Sequence, residues 1–197
     1  VEEILAGVEE IVEMADGTDI EVEAGIGTSF YCPYEGRIPM QETLDVVEHV
    51  VEAGVDEVTL ATTMGLANPV EIEEMFTEVF DRYPDLDVGL HLHDTNGMSL
   101  ANTLTAMQCG VDRFDTSHCG LGGGVVLPEG LAGVGNTPTE DIVQMLTGMG
   151  VGTNTDFERV EAVAHDVSER LDLGATSHVL MGGTVERVLE TVAEDKQ

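Results

Sequence analysis

The chain has 197 residues, of which 39 are acidic and 7 basic, for a net charge of -32 at neutral pH. A chain this long can bury a core of its own, and such charge makes nucleic acid and anionic membrane poor partners. No apolar run of about 18 residues marks a membrane span, and no basic-then-apolar segment marks an export signal.

Apolar periodicity predicts a helix over 1–15, a strand in IEVEAGI over 20–26, a loop TSFYCPYEGRIP and a helix over 40–53. A second strand, VDEVTLATT over 55–63, precedes a helix over 69–82 that follows Asn68-Pro69. DVGLHLHD is the third strand, with a helix over 98–109 behind it. VDRFDTS, 111–117, is the fourth and runs into the glycine-rich GLGGG at 120–124. Helices over 138–148, 156–172 and 184–194 follow a long loop.

Four strands, each followed by a helix, mean parallel β/α units. No linker interrupts them, so a single domain over 1–197 is expected. An open doubly wound sheet and part of a (β/α)₈ barrel both accept the pattern. In the third strand Val88, Leu90 and Leu92 alternate with Gly89, His91 and His93. A strand sends alternate side chains to opposite faces, so both imidazoles share a face away from the apolar residues. A doubly wound sheet is covered by helices on both sides; a polar inner face favours the barrel. A complete barrel needs eight strands and typically about 250 residues. The expected fold is therefore α/β, a partial TIM (β/α)₈ barrel of the last four βα units plus C-terminal helices. Val1 already lies inside a helical pattern, which reads as a cut. Soluble proteins avoid open strand edges, so an upstream N-terminal half-barrel or a second copy of the chain is expected to complete this one.

A same-face pair of histidines at a strand's C-terminal end reads as two ligands of a divalent metal. The alternative is two core histidines bonded to their neighbours. Cys32, Cys109 and Cys119 are widely spaced with no CxxC pair, which points to a reducing cytoplasm.

GLHLHDTNGMSLANTLTAMQCGVDRFDTSHCGLGG, with YCPYEGRI before it and GNTPTEDIVQMLTGMGV after it, resembles hydroxymethylglutaryl-CoA lyase. The wider group comprises metal-dependent lyases and Claisen-condensing enzymes with an Asp-Arg-Glu motif on the first barrel strand. The likeness covers about residues 1–185 and corresponds to the second half of that barrel. It implies that Asn136, in GVGN, joins His91 and His93 as a metal ligand through its side-chain oxygen. Imidazole suits Mn²⁺ or Zn²⁺, and an amide oxygen suits Mg²⁺ or Mn²⁺. All three ligands are neutral. The carboxylate and arginine that the family takes from its Asp-Arg-Glu motif are not in this chain.

Asp94 is expected to orient a ligand histidine, with an Asx-type turn as the alternative. Glu140 matches a family position important for turnover; it also completes a capping box with Thr137 as N-cap and Pro138 at N1. Gly122, Gly123 and Gly124 form the expected substrate loop, where glycine lets the backbone turn tightly. Two departures from the family stand out. Thr62, beside the expected metal site, replaces an aspartate, since the family's Gly-Asp-Thr-x-Gly reads Ala61-Thr62-Thr63-Met64-Gly65 here. Gly124 stands where the lyases carry a cysteine used in proton transfer, and Cys119 reads as a buried thiol rather than its substitute.

The resemblance implies a metal-dependent lyase that cleaves an acyl-CoA to an acyl-CoA enolate and a keto product. A condensing or aldolase relative using a keto acid, and a half-barrel without turnover, stay open beside it. The charge itself predicts a protein of a high-salt cytosol, because halophiles use self-repelling acidic surfaces in this way. The expected outcome is a higher melting temperature in molar KCl than in low salt; a melting temperature unmoved by salt counts against it.

Overall fold

A computed structural model describes residues 2–123, 135–174 and 176–194 of the chain. They fall into two compact units, one of residues 2–115 and one of residues 116–123 with 135–194.

The first unit runs α1 (Glu2–Ala15), β1 (Glu23–Ile26), β2 (Tyr31–Cys32), β3 (Gly36–Arg37), α2 (Met40–Ala53), β4 (Glu57–Ala61), α3 (Pro69–Arg82), β5 (Asp87–His91), α4 (Ser99–Cys109) and β6 (Arg113–Asp115). Strands β1, β4, β5 and β6 form one parallel sheet in that order. Each new β/α unit thus adds its strand beside the last. A doubly wound sheet reverses direction at a switch point; none occurs here, and the winding is that of a barrel.

Register places Leu60, Leu90 and Phe114 in one row and Ala61, His91 and Asp115 in the next. Val58, Leu60, Val88 and Leu90 are buried in one core with Leu44 and Val47 of α2, Ile72, Phe76 and Val79 of α3, and Ala106 of α4. The odd-numbered residues of β4, β5 and β6 therefore line the opposite face, and that face is polar. Glu57 and Arg113 pair across it. Gly89 sits on the strand between them, where a Cβ would come within 2.6 Å of Thr59 Oγ1. Burial pushes the Glu57 carboxyl up, while the Arg113 guanidinium pulls it the other way.

α3 begins where Asn68-Pro69 predicts. Asn68 Oδ1 accepts from Val70 N and Glu71 N, and Glu71 Oε2 accepts from Asn68 N at 3.0 Å, a complete capping box. The other Glu71 oxygen accepts from Tyr31 at 2.8 Å and pairs with Arg37 at 2.7 Å, which ties the short β2–β3 hairpin to this helix.

The second unit contains a 3₁₀ turn (His118–Gly120), α5 (Thr139–Gly148), α6 (Phe157–Leu171), α7 (His178–Gly182) and α8 (Val185–Glu194). Ile142, Val143, Leu146, Val160, Ala164 and Val179 are its buried apolar residues. Asp141 is buried and binds three groups at the start of α7: Ser177 Oγ, His178 N and Val179 N.

The helices match their predicted spans to within a residue or two. The strands are shorter than predicted. Thr116 and Ser117 leave the fourth strand because their partners lie elsewhere: Ser117 N donates to Thr137 O, and Thr139 N donates to Ser117 O. The hairpin, the 3₁₀ turn and α7 were not predicted; each is too short to show a period. Among the described residues no helix is long and apolar enough to cross a membrane.

Leu60 is fully buried and Val70, on α3, is exposed. Leu60→Ala is expected to cost about 2–5 kcal/mol of unfolding free energy, and Val70→Ala to stay within about 0.5 kcal/mol. Urea melts of both variants in molar KCl check this; equal losses would contradict the core described above.

Candidate functional site

His91 ends β5, and its side chain is on the polar face for the reason that Val88, Leu90 and Leu92 are on the other. His93 lies two residues on, past the last paired residue of the strand. Thr62 holds the backbone there from both directions. Its N–H donates to His91 O at 2.9 Å, and its hydroxyl oxygen accepts from His93 N at 3.0 Å. Beyond it the chain turns back through Gly65, at φ +61°, where a Cβ would lie 2.6 Å from Thr95 N and 2.8 Å from His93 O. Only glycine permits that approach.

The two imidazoles converge. Their Nε2 atoms are 3.1 Å apart, with the rings inclined at 73°. His93 Nδ1 rests against the Thr63 carbonyl oxygen. A carbonyl only accepts, so this nitrogen carries the hydrogen and Nε2 is the bare one. His91 Nδ1 lies 3.6 Å from Asp115 Oδ2, an acceptor that favours the same tautomer. The 3.1 Å separation accommodates an N–H···N bond in one tautomer; with both hydrogens on Nδ1, the two lone pairs face one small space that suits a cation. Two imidazoles on one ion at about 2.0–2.1 Å hold their nitrogens about 3 Å apart when at right angles. The pair fits a divalent metal. Among the described residues no group of three His, Cys, Asp or Glu side chains is placed to hold an ion.

Asp94 takes the turn role: its carboxylate accepts from Ser99 N at 3.0 Å, at the start of α4, and its carbonyl accepts from Gly97 N. The outer histidine nitrogens face Thr63 O and Asp115 instead, two groups that the sequence did not single out. Thr62 sits where expected, and acts through the backbone of both histidines.

In the second unit Asn136 is gripped by the glycine loop. Its Nδ2 donates to Leu121 O at 2.7 Å. A Cβ on Gly122 would lie 2.9 Å from that nitrogen, and one on Gly123 3.0 Å from Asn136 N. Both glycines have positive φ, as tight turning requires. With the amide nitrogen spoken for, Asn136 Oδ1 is buried and has no hydrogen-bond partner among the described residues. A buried bare oxygen of this kind costs free energy and suits a cation. Gly124 lies outside the described residues.

The expected box placed Thr137 as N-cap and Pro138 at N1; in the structure Pro138 is the N-cap. Helix α5 starts at Thr139 with no side-chain cap. Glu140 is fully buried, and both its carboxylate oxygens accept from Cys119 N, at 3.1 and 3.2 Å. The pull of that N–H draws the side chain away from its own helix end. His118 Nδ1 stands 3.8 Å from Glu140 Oε2. Cys119 is buried and its thiol donates to Ala164 O at 3.1 Å. Burial, and then the Glu140 charge, push this thiol up from its ordinary value.

Residues 1–167 match the HMGL-like family. A hydroxymethylglutaryl-CoA lyase of Bacillus subtilis is 37% identical over 157 residues, which is 80% of this chain and 52% of that protein. The (R)-citramalyl-CoA lyase of Chloroflexus aurantiacus is 36% identical over 146 residues, 74% of this chain and 45% of its own. The solved structure of an HMG-CoA lyase from Acinetobacter baumannii in complex with coenzyme A and 3-methylmalate superposes with a TM-score of 0.81 at 34% identity, covering 91% of this chain and 58% of that one. The chain spans about half the length of the curated relatives it matches.

A thiol raised by burial stays protonated and inert at neutral pH. In the native protein Cys119 is expected to resist iodoacetamide at pH 8 and to react once the chain is unfolded. Peptide mass spectrometry reads this site by site. Native labelling of Cys119 as fast as that of an unfolded control would show an accessible thiolate there.

Proposed function

The chain belongs to the HMGL-like family, and on that premise we propose that it carries the histidine half of the metal site of a carbon–carbon lyase acting on a 3-hydroxyacyl-CoA. The observation behind this is the convergence of His91 Nε2 and His93 Nε2 at 3.1 Å, with each Nδ1 turned to an acceptor. These two nitrogens would hold Mn²⁺ or Mg²⁺, with Zn²⁺ also compatible with imidazole. Asn136 is the third ligand that the resemblance names.

When bound, a divalent ion supplies Lewis-acid polarisation of substrate oxygens and positive charge beside a developing enolate. The chain's own residues do the positioning. Thr62 fixes the backbone of both histidines, and Thr63 O and Asp115 set which nitrogen of each ring is bare. Gly122 and Gly123 close the backbone over Asn136. Because His91, His93 and Asn136 are neutral, the site needs the carboxylate and the arginine of the Asp-Arg-Glu motif, which this chain lacks. An N-terminal half-barrel is the proposed partner, and a reducing cytoplasm is the proposed location for three free cysteines.

The 3-hydroxyacyl group is a second matter. Gly124 can donate no proton where the family uses a cysteine, and Thr62 carries no charge where it uses an aspartate. General acid–base catalysis is typically worth about 10²–10⁴-fold. These departures favour an acyl group other than hydroxymethylglutaryl, as in the relative named for citramalyl-CoA.

Electron paramagnetic resonance of added Mn²⁺ tests the site in the 197-residue chain. Weak binding is expected, and His91→Ala or His93→Ala should each weaken it at least about tenfold, or about 1.4 kcal/mol. Addition of the N-terminal half should tighten it. Affinity indifferent to both histidines would end the metal assignment. In the full-length protein with Mn²⁺, hydroxymethylglutaryl-CoA is expected to turn over far below about 10 s⁻¹, a typical enzyme rate; a rate near that value would restore it as the substrate.

A further inference from the structure

Thr63 O can select the tautomer of His93 only if the loop that presents it, between β4 and α3, is held in place. The near end of that loop is held by Thr62, which bonds the backbone at His91 and at His93. Its middle rests on the loop after β5, where Asn96 N donates to Gly65 O at 3.2 Å. Its far end, the Ala67–Asn68 peptide, is pinned from both sides. Asn68 N donates to Glu71 Oε2 at 3.0 Å, inside the capping box of α3. Ala67 O accepts from Asn102 Nδ2 at 2.8 Å, and that bond comes from another helix, 35 residues along the chain.

Asn102 lies in α4 and is 2% exposed. A carbonyl only accepts, so Ala67 O fixes which way round the amide stands. Among the described residues Asn102 Oδ1 has no hydrogen-bond partner, so the tie to Ala67 O is what engages this side chain. Three residues earlier, Ser99 N donates to the carboxylate of Asp94, the residue after His93. The start of α4 therefore holds both loops, that of His93 through Ser99 and that of Thr63 through Asn102. All of these groups belong to the first unit.

We propose that Asn102 is a positioning residue for the histidine pair. By holding Ala67 O it keeps Thr63 O against His93 Nδ1, and so keeps His93 Nε2 open to a divalent cation. The cation rests on the metal reading above; the tautomer does not. The span from Thr62 to Ala67 is short and closed at both ends, with Gly65 turning at φ +61° against Thr95 N and His93 O. Thr63 has little room inside it. Loss of the Asn102 donor leaves a buried carbonyl unpaired, which costs free energy. The loop relieves that cost by swinging Ala67 O toward water, and Thr63 O moves with it. His93 is then able to carry its hydrogen on Nε2.

Nitrogen-15 spectra of the His93 ring in the metal-free 197-residue chain give one readout, and Mn²⁺ affinity by electron paramagnetic resonance gives the other. The parent should carry the ring hydrogen on Nδ1. Asn102→Leu and Asn102→Ala both remove the donor, the first keeping the bulk. Each should move the hydrogen to Nε2 in part of the molecules and weaken Mn²⁺ binding about tenfold, or about 1.4 kcal/mol. Ala106→Gly loosens the same helix without touching Ala67 O, and should leave the tautomer in place and the affinity within about threefold. If the Asn102 variants do not fold, the parent decides, in urea below its melting midpoint. Protection of Asn102 Nδ2–H and the Nδ1 hydrogen of His93 should then be lost together. An Asn102 amide that opens while His93 keeps that hydrogen overturns the proposal. Folded Asn102 variants with the parent's tautomer overturn it too, as does Ala106→Gly matching Asn102→Leu. Mn²⁺ affinity indifferent to His91→Ala and His93→Ala removes the metal reading alone, and the tautomer still decides the role of Asn102.

Discussion

Burial of Val88, Leu90 and Leu92 in the core of the first unit is the constraint on which the site depends. Side chains alternate along a strand, so that burial forces Gly89, His91 and His93 onto the other face together. A shift of one residue in the register of β5 would bury both imidazoles and expose three aliphatic side chains. The free energy that opposes the shift, roughly 1.5–3 kcal/mol for each buried aliphatic side chain, is therefore also what keeps two imidazoles on the polar face. Gly89 adds a second consequence, because its missing Cβ leaves Thr59 its room and keeps the strand between Glu57 and Arg113 low.

Sharing a face does not by itself orient two imidazoles. Here their outer nitrogens meet acceptors, with Thr63 O against His93 Nδ1 and Asp115 Oδ2 3.6 Å from His91 Nδ1. The acceptors are of different kinds. The carbonyl is neutral and placed by the Thr62–Gly65 turn, whereas the carboxylate brings negative charge beside His91.

The second unit shows how adjacent acidic residues on one helix come to different uses. Glu140 and Asp141 are both buried at the start of α5. Asp141 turns toward Ser177 and the backbone of α7, where four contacts saturate it. Glu140 turns toward Cys119 N, and His118 Nδ1 stands 3.8 Å from its Oε2.

Long periods were legible in the sequence, and short contacts were not. The helices over 40–53, 69–82 and 156–172, the parallel order of strands and the shared face of His91 and His93 all follow from repeats of 3.6 or 2 residues sustained over several turns or pairs. The glycines at 122 and 123 were legible for a related reason, since a local backbone demand selects the residue type. What sequence misread was every place where one side chain had two competing partners. Thr137-Pro138-Thr139-Glu140 spells a capping box, yet Glu140 binds Cys119 N, 21 residues away. Asp94 stands next to His93, yet its carboxylate goes to Ser99 N while Asp115, on the neighbouring strand, faces His91. Local spelling determines which hydrogen bonds a residue can make; only the folded chain, by bringing donors from distant positions within 3 Å, decides which one it makes.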